Sequence, residues 1–358
     1  MSEMRQFLGD NAARLFSGLC NESVFAKAER GEWQADLWRA LEDNGLSAAT
    51  RTEHRGGPGS DIGDAFSIVR EAGAHCVPAP LTETMLAELA LAAAGLAPRN
   101  GPASVGPVIL DDACSLERVG GRWLLSGTLH RIPWARHVDH LVVLCNVAGG
   151  TATVIVPPGS SLEREHNFAN EPRDTIRFDR VALDEDSVSL ESGLSVMDLR
   201  FHGAFFRIGG ITGALEKVLD MTVSYAMERK QFGRPIGKFQ AVQQQIAIMA
   251  TQVAAANAAA DAMIDAMKHS QGHFEIAAAK ARVSEAAGVA AGIAHQVHGA
   301  MGFTLEHPLQ RSTRRLWSWR DEFGSEHDWF DWLGDIAVRL GSGDLWPFLT
   351  SEPKKRPS

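Results

Sequence analysis

The sequence predicts a mainly α-helical protein with a central β unit. Residues 1–98 and 194–358 carry long runs in which apolar residues recur at helical spacing. Between them, short Val-, Ile-, Leu- and Thr-rich runs alternate with Gly and Asp turns, as in a sheet of short strands. We therefore expect three domains: an N-terminal helical domain over 1–98, a middle β domain over 99–193, and a C-terminal four-helix bundle over 194–358.

The N-terminal helices are indicated by the spacing of apolar residues and by the Gly- and Pro-rich loop that separates them. Leu37, Trp38 and Leu41 share one helical face, and the Gly- and Pro-rich run 55–60 predicts a loop. The run 86–96 is rich in Ala and Leu on all sides, which is typical of a buried helix.

The middle segment contains five predicted strands. They are 105–110, 122–126, 140–145, 152–156 and 175–178. Gly120 and Gly121 predict a tight hairpin turn, because glycine adopts the positive φ angles that such turns require.

The C-terminal segment contains four predicted helices, over 203–228, 239–268, 274–301 and 326–340. The second and third are very rich in Ala. Small side chains let helices approach closely, which suits either a bundle core or a subunit interface.

Composition limits the possible functions. A formal charge of −9 argues against a nucleic-acid surface, which needs basic residues to neutralise phosphates. The thirteen histidines are dispersed, and no His-x-x-x-His pair lies on one helix face beside a carboxylate, so we expect no metal site. The four scattered cysteines predict thiols in a reducing cytoplasm. We also expect no secretory signal and no membrane insertion, because no apolar run reaches about 20 residues.

The most informative motif is the run 225–240, YAMERKQFGRPIGKFQ. A helical pattern stops at Gly233 and Pro235, and another begins near Gln240. Arg229 then stands in the last helical turn beside a rigid corner, where a guanidinium suits a phosphate or pyrophosphate. On spacing alone, an Arg facing the dipole of an ordinary helix C-terminus is the simpler interpretation.

A second motif, QVHGAMGFTLEHP at 296–308, ends another helical run. Together the two motifs resemble the C-terminal signature of the acyl-CoA dehydrogenase family of flavoproteins. The segments DLWRALEDNGL, EHRGGPG and DAFSIVREAGAHCVPAPL extend the resemblance into the N-terminal part. It implies the family's fold and FAD as cofactor.

The resemblance also implies FAD-binding residues. In the family, the two motifs reach across to the pyrophosphate and adenosine of a neighbouring subunit's FAD. The matching residues here are Arg229, Phe232, Gln240, Gln296, Gly299 and Ala300. Ala300 replaces the second of two consecutive glycines. Ser325, which matches the Thr of the family's Tyr-Glu-Gly-Thr segment, completes the expected set.

This sequence has no carboxylate at the position expected for the family's catalytic base. Ungapped counting from Gln296 places Phe323 where the base should be, and Glu322 lies one residue early. In an extended segment that shift would turn the side chain to the opposite side. Some relatives carry the base on an earlier helix, at the position that matches Gly203. We therefore expect no catalytic residue, with Glu322 as the fallback.

The segments that face the flavin ring also depart from the family. Residues 108–114 replace a Glu-Pro-Gly-x-Gly-Ser-Asp segment, and Arg131-Ile-Pro133 aligns with the ring-contacting Trp-x-Thr. Trp134 is close but displaced.

The resemblance therefore favours a subunit of a heteromeric acyl-CoA dehydrogenase. The run RRLWSWRDEFGSE at 314–326 looks like the smaller subunits of bacterial heterotetramers that act on steroid side-chain CoA thioesters. A larger paralogous subunit would supply the base, in a tetramer. The alternatives are a homomeric dehydrogenase using Glu322 or Glu326, a flavin-dependent oxidase or monooxygenase, and a non-catalytic structural subunit. The acyl group, and CoA or acyl-carrier protein as its carrier, stay open.

Overall fold

The computed structural model describes residues 3–159, 161–268 and 272–351. These ranges contain ten α-helices: α1 Glu3–Leu19, α2 Glu22–Glu29, α3 Ala35–Asp43, α4 Ile62–Ala74, α5 Leu81–Ala93, α6 Val196–Glu228, α7 Gln240–Met267, α8 His273–His298, α9 Leu309–Trp319 and α10 Glu326–Thr350. They also contain ten strands: β1 Ala103–Gly106, β2 Ala113–Val119, β3 Arg122–Pro133, β4 His140–Val147, β5 Gly150–Val156, β6 Ser161–Glu163, β7 Arg173–Leu183, β8 Val188–Ser189, β9 Lys230–Gln231 and β10 Arg234–Pro235.

The chain divides into two compact units. One comprises Met1–Val69 with Val77–Gly203, and the other comprises Arg70–Cys76 with Ala204–Ser358. The three domains expected from the sequence stay a prediction. The predicted fold class, mainly helical with a central sheet, is confirmed.

The first unit is built around an eight-stranded mixed sheet. Seven strands follow the order β6-β7-β3-β2-β4-β5-β8, and β1 pairs in parallel with β4. Alternate residues of the strands, including Leu125, Leu129, Val143 and Val154, form one buried apolar core. Helix α5 packs against β1 and β4. Its buried residues include Glu83 and Glu88 as well as apolar ones, which confirms the buried helix predicted here.

The predicted Gly120–Gly121 turn is confirmed. It joins β2 to β3, and both glycines have positive φ, 59° and 84°. The sequence did not predict β2, whose outward positions are charged or small, nor β6 and β8, which are only three and two residues long.

The second unit is helical. All four predicted C-terminal helices are present, and α8 packs against α7, α9 and α10. Helix α9 was not predicted; it carries three arginines that mask its apolar side. Helix α10 runs beyond the predicted end at Leu340 and is kinked at Gly341, which has a φ of 70° and a ψ of 175°.

Helix α7 is long and apolar enough, by length and composition alone, to cross a membrane. Only 28% of its most apolar stretch is buried within this chain. Helix α8, by contrast, is buried along most of its length. The outer side of α7 therefore presents small and apolar side chains, among them Ala247, Ile248 and Ala258.

Candidate functional site

The first motif folds as a helix end followed by a tight hairpin. Helix α6 ends at Glu228, and β9 and β10 then pair through Gln231 and Arg234. The two residues of the turn, Phe232 and Gly233, both have positive φ, 51° and 80°. Hairpin turns of this length favour such angles because they match the twist of the strands. Glycine at 233 adopts them readily, whereas Phe232 is held in a conformation uncommon for a bulky residue.

The hairpin is fastened to the helix end. The Ile236 amide donates to the Arg229 carbonyl at 2.8 Å, and the Arg229 amide donates to the Tyr225 carbonyl at 2.8 Å. The ring of Phe239, just before α7, lies 4.3 Å below the Arg234 guanidinium and meets the Phe232 ring edge-on. The predicted rigid corner therefore exists, and Arg229 stands at its start.

The second motif lies at the C-terminal end of α8. Helix α8 ends at His298, and Gly299 continues the chain with a φ of 60°. Gln296, Gly299 and Ala300 are all exposed. No atom lies within 4 Å of a Cβ built on Gly299, so this end of α8 faces open space.

An aromatic contact brings the two motifs together. The Tyr225 and His298 rings stack with centroids 4.3 Å apart, and the Tyr225 hydroxyl donates to the His298 carbonyl at 3.3 Å. Burial lowers the pKa of His298, which keeps this imidazole neutral in the stack. Tyr225 is one helical turn before Arg229, and His298 directly precedes Gly299. The sequence motifs, about 70 residues apart in the chain, therefore form one surface.

This surface offers hydrogen-bond donors that the described part of the chain does not use. The side chains of Arg229, Gln240 and Gln296 are exposed and make no hydrogen bond to a described residue. A guanidinium and two amides suit the pyrophosphate and hydroxyl oxygens of a dinucleotide. Phe232, 91% exposed, adds an apolar side chain beside them. The donor set therefore fits the FAD-binding role expected for these residues, which stays a prediction.

Ser325 has a structural use. It is the N-cap of α10: its hydroxyl accepts from the Asp328 amide at 3.3 Å, and its own amide donates to the Asp328 carboxylate at 2.9 Å. This capping box accounts for its hydrogen-bonding groups without a cofactor.

The segment expected to hold the base is a turn between α9 and α10, not the extended strand that the sequence comparison assumed. The Glu322 carboxylate accepts from Nε of Arg207 at 2.7 Å, and both side chains are largely buried. Arg207 belongs to α6. Its guanidinium also lies over the rings of Trp319 and Phe323.

Phe323 itself is buried, with 5% of its surface exposed, and has a φ of 53°. A non-glycine residue in this left-handed region is strained and persists only where its neighbours fix it. The position that ungapped counting matched to the family's base is therefore filled by a buried aromatic ring.

Sequence reasoning missed Lys280. This α8 residue is completely buried, and its Nζ donates to the carbonyls of Arg320 and Gly324 at 2.7 and 2.8 Å. No local signal pointed to it, because a single lysine in an Ala-rich helix is ordinary.

In the first unit, the segments expected to face a flavin ring carry side chains that differ in chemistry from those of the family. Asp112 accepts from the His130 amide at 2.6 Å and contacts its ring. Arg131 follows with a φ of 57°, at an irregularity in the pairing of β3 with β7. The ring of Trp134 lies inside the core of the sheet, so it does not restore the displaced Trp-x-Thr.

A cleft of about 500 Å³ in the same unit is lined by several basic side chains and by one carboxylate, that of Glu29. Three arginines line it, of which Arg136 binds the buried Asp174 and Arg30 pairs with Glu32. Two of these arginines are thus paired with carboxylates outside the lining, and basic side chains dominate the lining itself.

Comparison with known proteins decides the family. A family model described as the acyl-CoA dehydrogenase C-terminal domain matches residues 191–324. The acyl-CoA dehydrogenase IpdE2 of Mycobacterium tuberculosis is 30% identical over 324 residues, which cover 87% of this chain and 91% of that protein. The chain belongs to the acyl-CoA dehydrogenase family. Its class of activity is therefore that of an oxidoreductase acting on acyl-CoA.

Solved structures of acyl-CoA dehydrogenases share this fold. The ChsE4–ChsE5 complex from Mycobacterium tuberculosis superposes with a TM-score of 0.88 at 20% identity, covering 96% of this chain and 99% of that one. A steroid ACAD named Tcur3481–Tcur3483 gives a TM-score of 0.85 at 24% identity, with coverages of 94% and 98%. At these identities the likeness shows the fold alone.

Proposed function

We propose that this acyl-CoA dehydrogenase chain is the base-lacking subunit of a heteromeric enzyme. A larger paralogous subunit supplies the proton acceptor, and this chain supplies contacts to the adenosine side of FAD. The observation that carries the proposal is Phe323, a buried aromatic ring at the position that aligns with the family's base. An aromatic ring can close a pocket but cannot take a proton.

The reaction class requires a strong proton acceptor. The α-proton of a thioester is weakly acidic, so a carboxylate must be held close to it in a water-poor pocket. FAD, when bound, supplies the acceptor for the β-hydride. The protein has to supply the carboxylate, and the homomeric alternative would use Glu322 or Glu326 of this chain.

Both candidate carboxylates are engaged by arginines. Glu322 accepts from Arg207 at 2.7 Å, and Glu326 is bound by Arg320. A carboxylate whose oxygen is directed to a guanidinium is stabilised as an anion and held away from a substrate carbon. This arrangement disfavours the homomeric alternative, in which Glu322 or Glu326 acts as the base.

The surface formed by the two motifs supports an FAD contact made across an interface. Arg229, Gln240 and Gln296 point their polar groups away from the described part of their own chain. The pyrophosphate and adenosine of FAD would be recognised by the guanidinium and amides. These side chains would be of little use for a flavin held wholly within this chain.

The exposed helical faces support an assembly. Gln296 lies on one face of α8 with Glu285, Val289 and Gly292, all exposed. Helix α7 is mostly unburied along its apolar stretch. Because apolar faces of this length are rarely left in water, we propose that α7 and α8 are covered by the partner subunit in a tetramer.

The acyl group is proposed from the relatives. The printed name of one structural neighbour is that of a steroid ACAD, and another neighbour is a complex of two different chains. We propose a CoA thioester derived from a steroid as the substrate of the complete enzyme, which would place it in steroid catabolism in the cytoplasm.

The test is FAD stoichiometry, measured on this chain alone and after co-expression with its larger paralogue. The proposal predicts little bound FAD in the isolated chain, and a tetramer by light scattering that holds FAD when both chains are present. A stable, FAD-saturated monomer or homotetramer that dehydrogenates acyl-CoA would contradict it. A mixed tetramer that binds no flavin would instead favour a structural role.

A further inference from the structure

We propose that Lys280 is the positioning residue of the turn that carries Glu322 and Phe323. The side chain is completely buried, and its Nζ has three hydrogen-bond acceptors. They are Ser284 Oγ at 3.1 Å, the Arg320 carbonyl at 2.7 Å and the Gly324 carbonyl at 2.8 Å. The two carbonyls stand on either side of the turn, so one side-chain nitrogen hydrogen-bonds both ends of the turn to α8.

The turn needs such a fastening for two reasons. Arg320 follows the last residue of α9, where carbonyl groups have no partner within the helix. Phe323 adopts a φ of 53°, a conformation that a bulky residue keeps only when its surroundings fix it. Lys280 donates to the Arg320 carbonyl and so gives it a partner. By holding the residues before and after Phe323, it also fixes the conformation of Phe323.

Shape and donors, more than charge pairing, explain the choice of lysine. All three acceptors are uncharged, and the two carbonyls are matched by the two N–H groups that the amine keeps when it is deprotonated. Of the charged groups around it, Asp321, Glu322 and Glu326 favour the protonated form and Arg207 opposes it. Ser284 strengthens the contact between α8 and this turn, because its hydroxyl also donates to the Arg320 carbonyl at 3.1 Å.

The consequence for catalysis rests on the proposed function. If Phe323 closes the pocket where other family members place their base, Lys280 determines where that aromatic wall stands. The structural part of the proposal, that Lys280 holds the turn, does not depend on flavin or partner.

The test is hydrogen exchange, followed by mass spectrometry, on the isolated chain. Lys280→Met keeps the length and apolar stem of the side chain but removes its donors. We expect protection in peptides covering 318–326 to fall about tenfold, with smaller changes elsewhere. Lys268→Met is the control, because Lys268 directly follows α7, is exposed, and among the described residues pairs with Asp265. Unchanged protection in 318–326, or a loss spread evenly over the second unit, would overturn the proposal.

Two further variants keep the test decisive if Lys280→Met folds poorly. Ser284→Ala removes one of the two donors to the Arg320 carbonyl, and should lower protection in the same peptides by a smaller factor. Phe323→Gly removes the strain, so the effect of Ser284→Ala or Lys280→Met should shrink in that background. Equal effects in both backgrounds would show that Lys280 does not act through the turn. None of these results depends on FAD, so they are distinguishable from a failure of the base-lacking assignment.

Discussion

Nε of Arg207 lies 2.7 Å from Oε2 of Glu322, across 115 residues of sequence. This contact joins α6 to the turn between α9 and α10, and only 5% and 12% of the two side chains are exposed. It gives a structural purpose to the one carboxylate nearest the expected position of the base. It also places the guanidinium over the Phe323 ring, so the ion pair and the aromatic residue form one cluster.

The ion pair predicts strongly coupled effects on stability. Glu322→Met leaves the buried Arg207 without its carboxylate, and we expect the free energy of unfolding to fall by about 3–5 kcal/mol. The double variant Arg207→Met with Glu322→Met should recover most of that loss, because no buried charge is left uncompensated. Urea unfolding followed by circular dichroism measures both. Additive losses would show that the two side chains act independently.

Arg229 is expected to contribute to cofactor affinity without contributing to stability. Its exposed side chain makes no hydrogen bond to a described residue, so Arg229→Ala should unfold at the same urea concentration as the parent chain. In the complex with the larger subunit, loss of a charge-assisted contact should weaken FAD binding by about one to two decades. Flavin retained on gel filtration measures this. Arg122→Ala, at an exposed position in β3, is the control; equal retention in both variants would place Arg229 outside the cofactor contacts.

The face of α8 that carries Gln296 is expected to be covered in the assembly. A Cβ built on Gly292 meets no atom within 4 Å, so Gly292→Arg fits the isolated chain. We expect it to fold normally but to fail to form a tetramer with the larger subunit. Gly18→Arg in α1 is the matched control, since that glycine also faces open space. Light scattering that finds intact tetramers with Gly292→Arg would leave this face outside the interface.

Lys280 predicts a pH dependence of stability. Burial lowers the pKa of Lys280 to about 7 from its ordinary 10.5. Between these values the unfolded chain holds a proton that the folded chain has released. The free energy of unfolding therefore rises with pH across this window, by at most about 1.4 kcal/mol per pH unit, and is independent of this group below it.

The measurement compares urea unfolding at pH 7 and pH 9. The parent chain and Lys268→Met should share this contribution, whereas Lys280→Met should lose it. A slope that is the same in all three would show that Lys280 has the same pKa in the folded and unfolded chains.

The sequence predicted features that depend on local patterns. The long C-terminal helices, the buried helix before β1 and the Gly120–Gly121 turn follow from periodicity and from backbone preferences of single residues. Strand β2 was missed because Glu117 and Arg118 obscure its alternation, and α9 because its three arginines interrupt its apolar pattern.

The contacts that define the candidate site lie beyond local patterns. Two of these contacts, Arg207 with Glu322 and Lys280 with Gly324, form only after the helices have packed. Neither residue of a pair therefore reveals the other in the sequence. Ungapped counting from Gln296 did identify Phe323 as the residue at the expected position of the base. It treated the surrounding segment as extended, whereas a turn with a positive φ at Phe323 sets the direction of both side chains.

The central claim, that this chain supplies no proton acceptor, is tested most directly by Glu322→Gln in the complex with the larger subunit. The measurement is the rate of anaerobic flavin bleaching by acyl-CoA, on protein shown to retain its FAD. We predict a rate close to that of the parent complex, because Glu322 is bound to Arg207 and Phe323 takes the position of the base. A loss of about 10²–10⁴-fold with FAD still bound, as expected for removal of a general base, would contradict the account and assign the chemistry to Glu322.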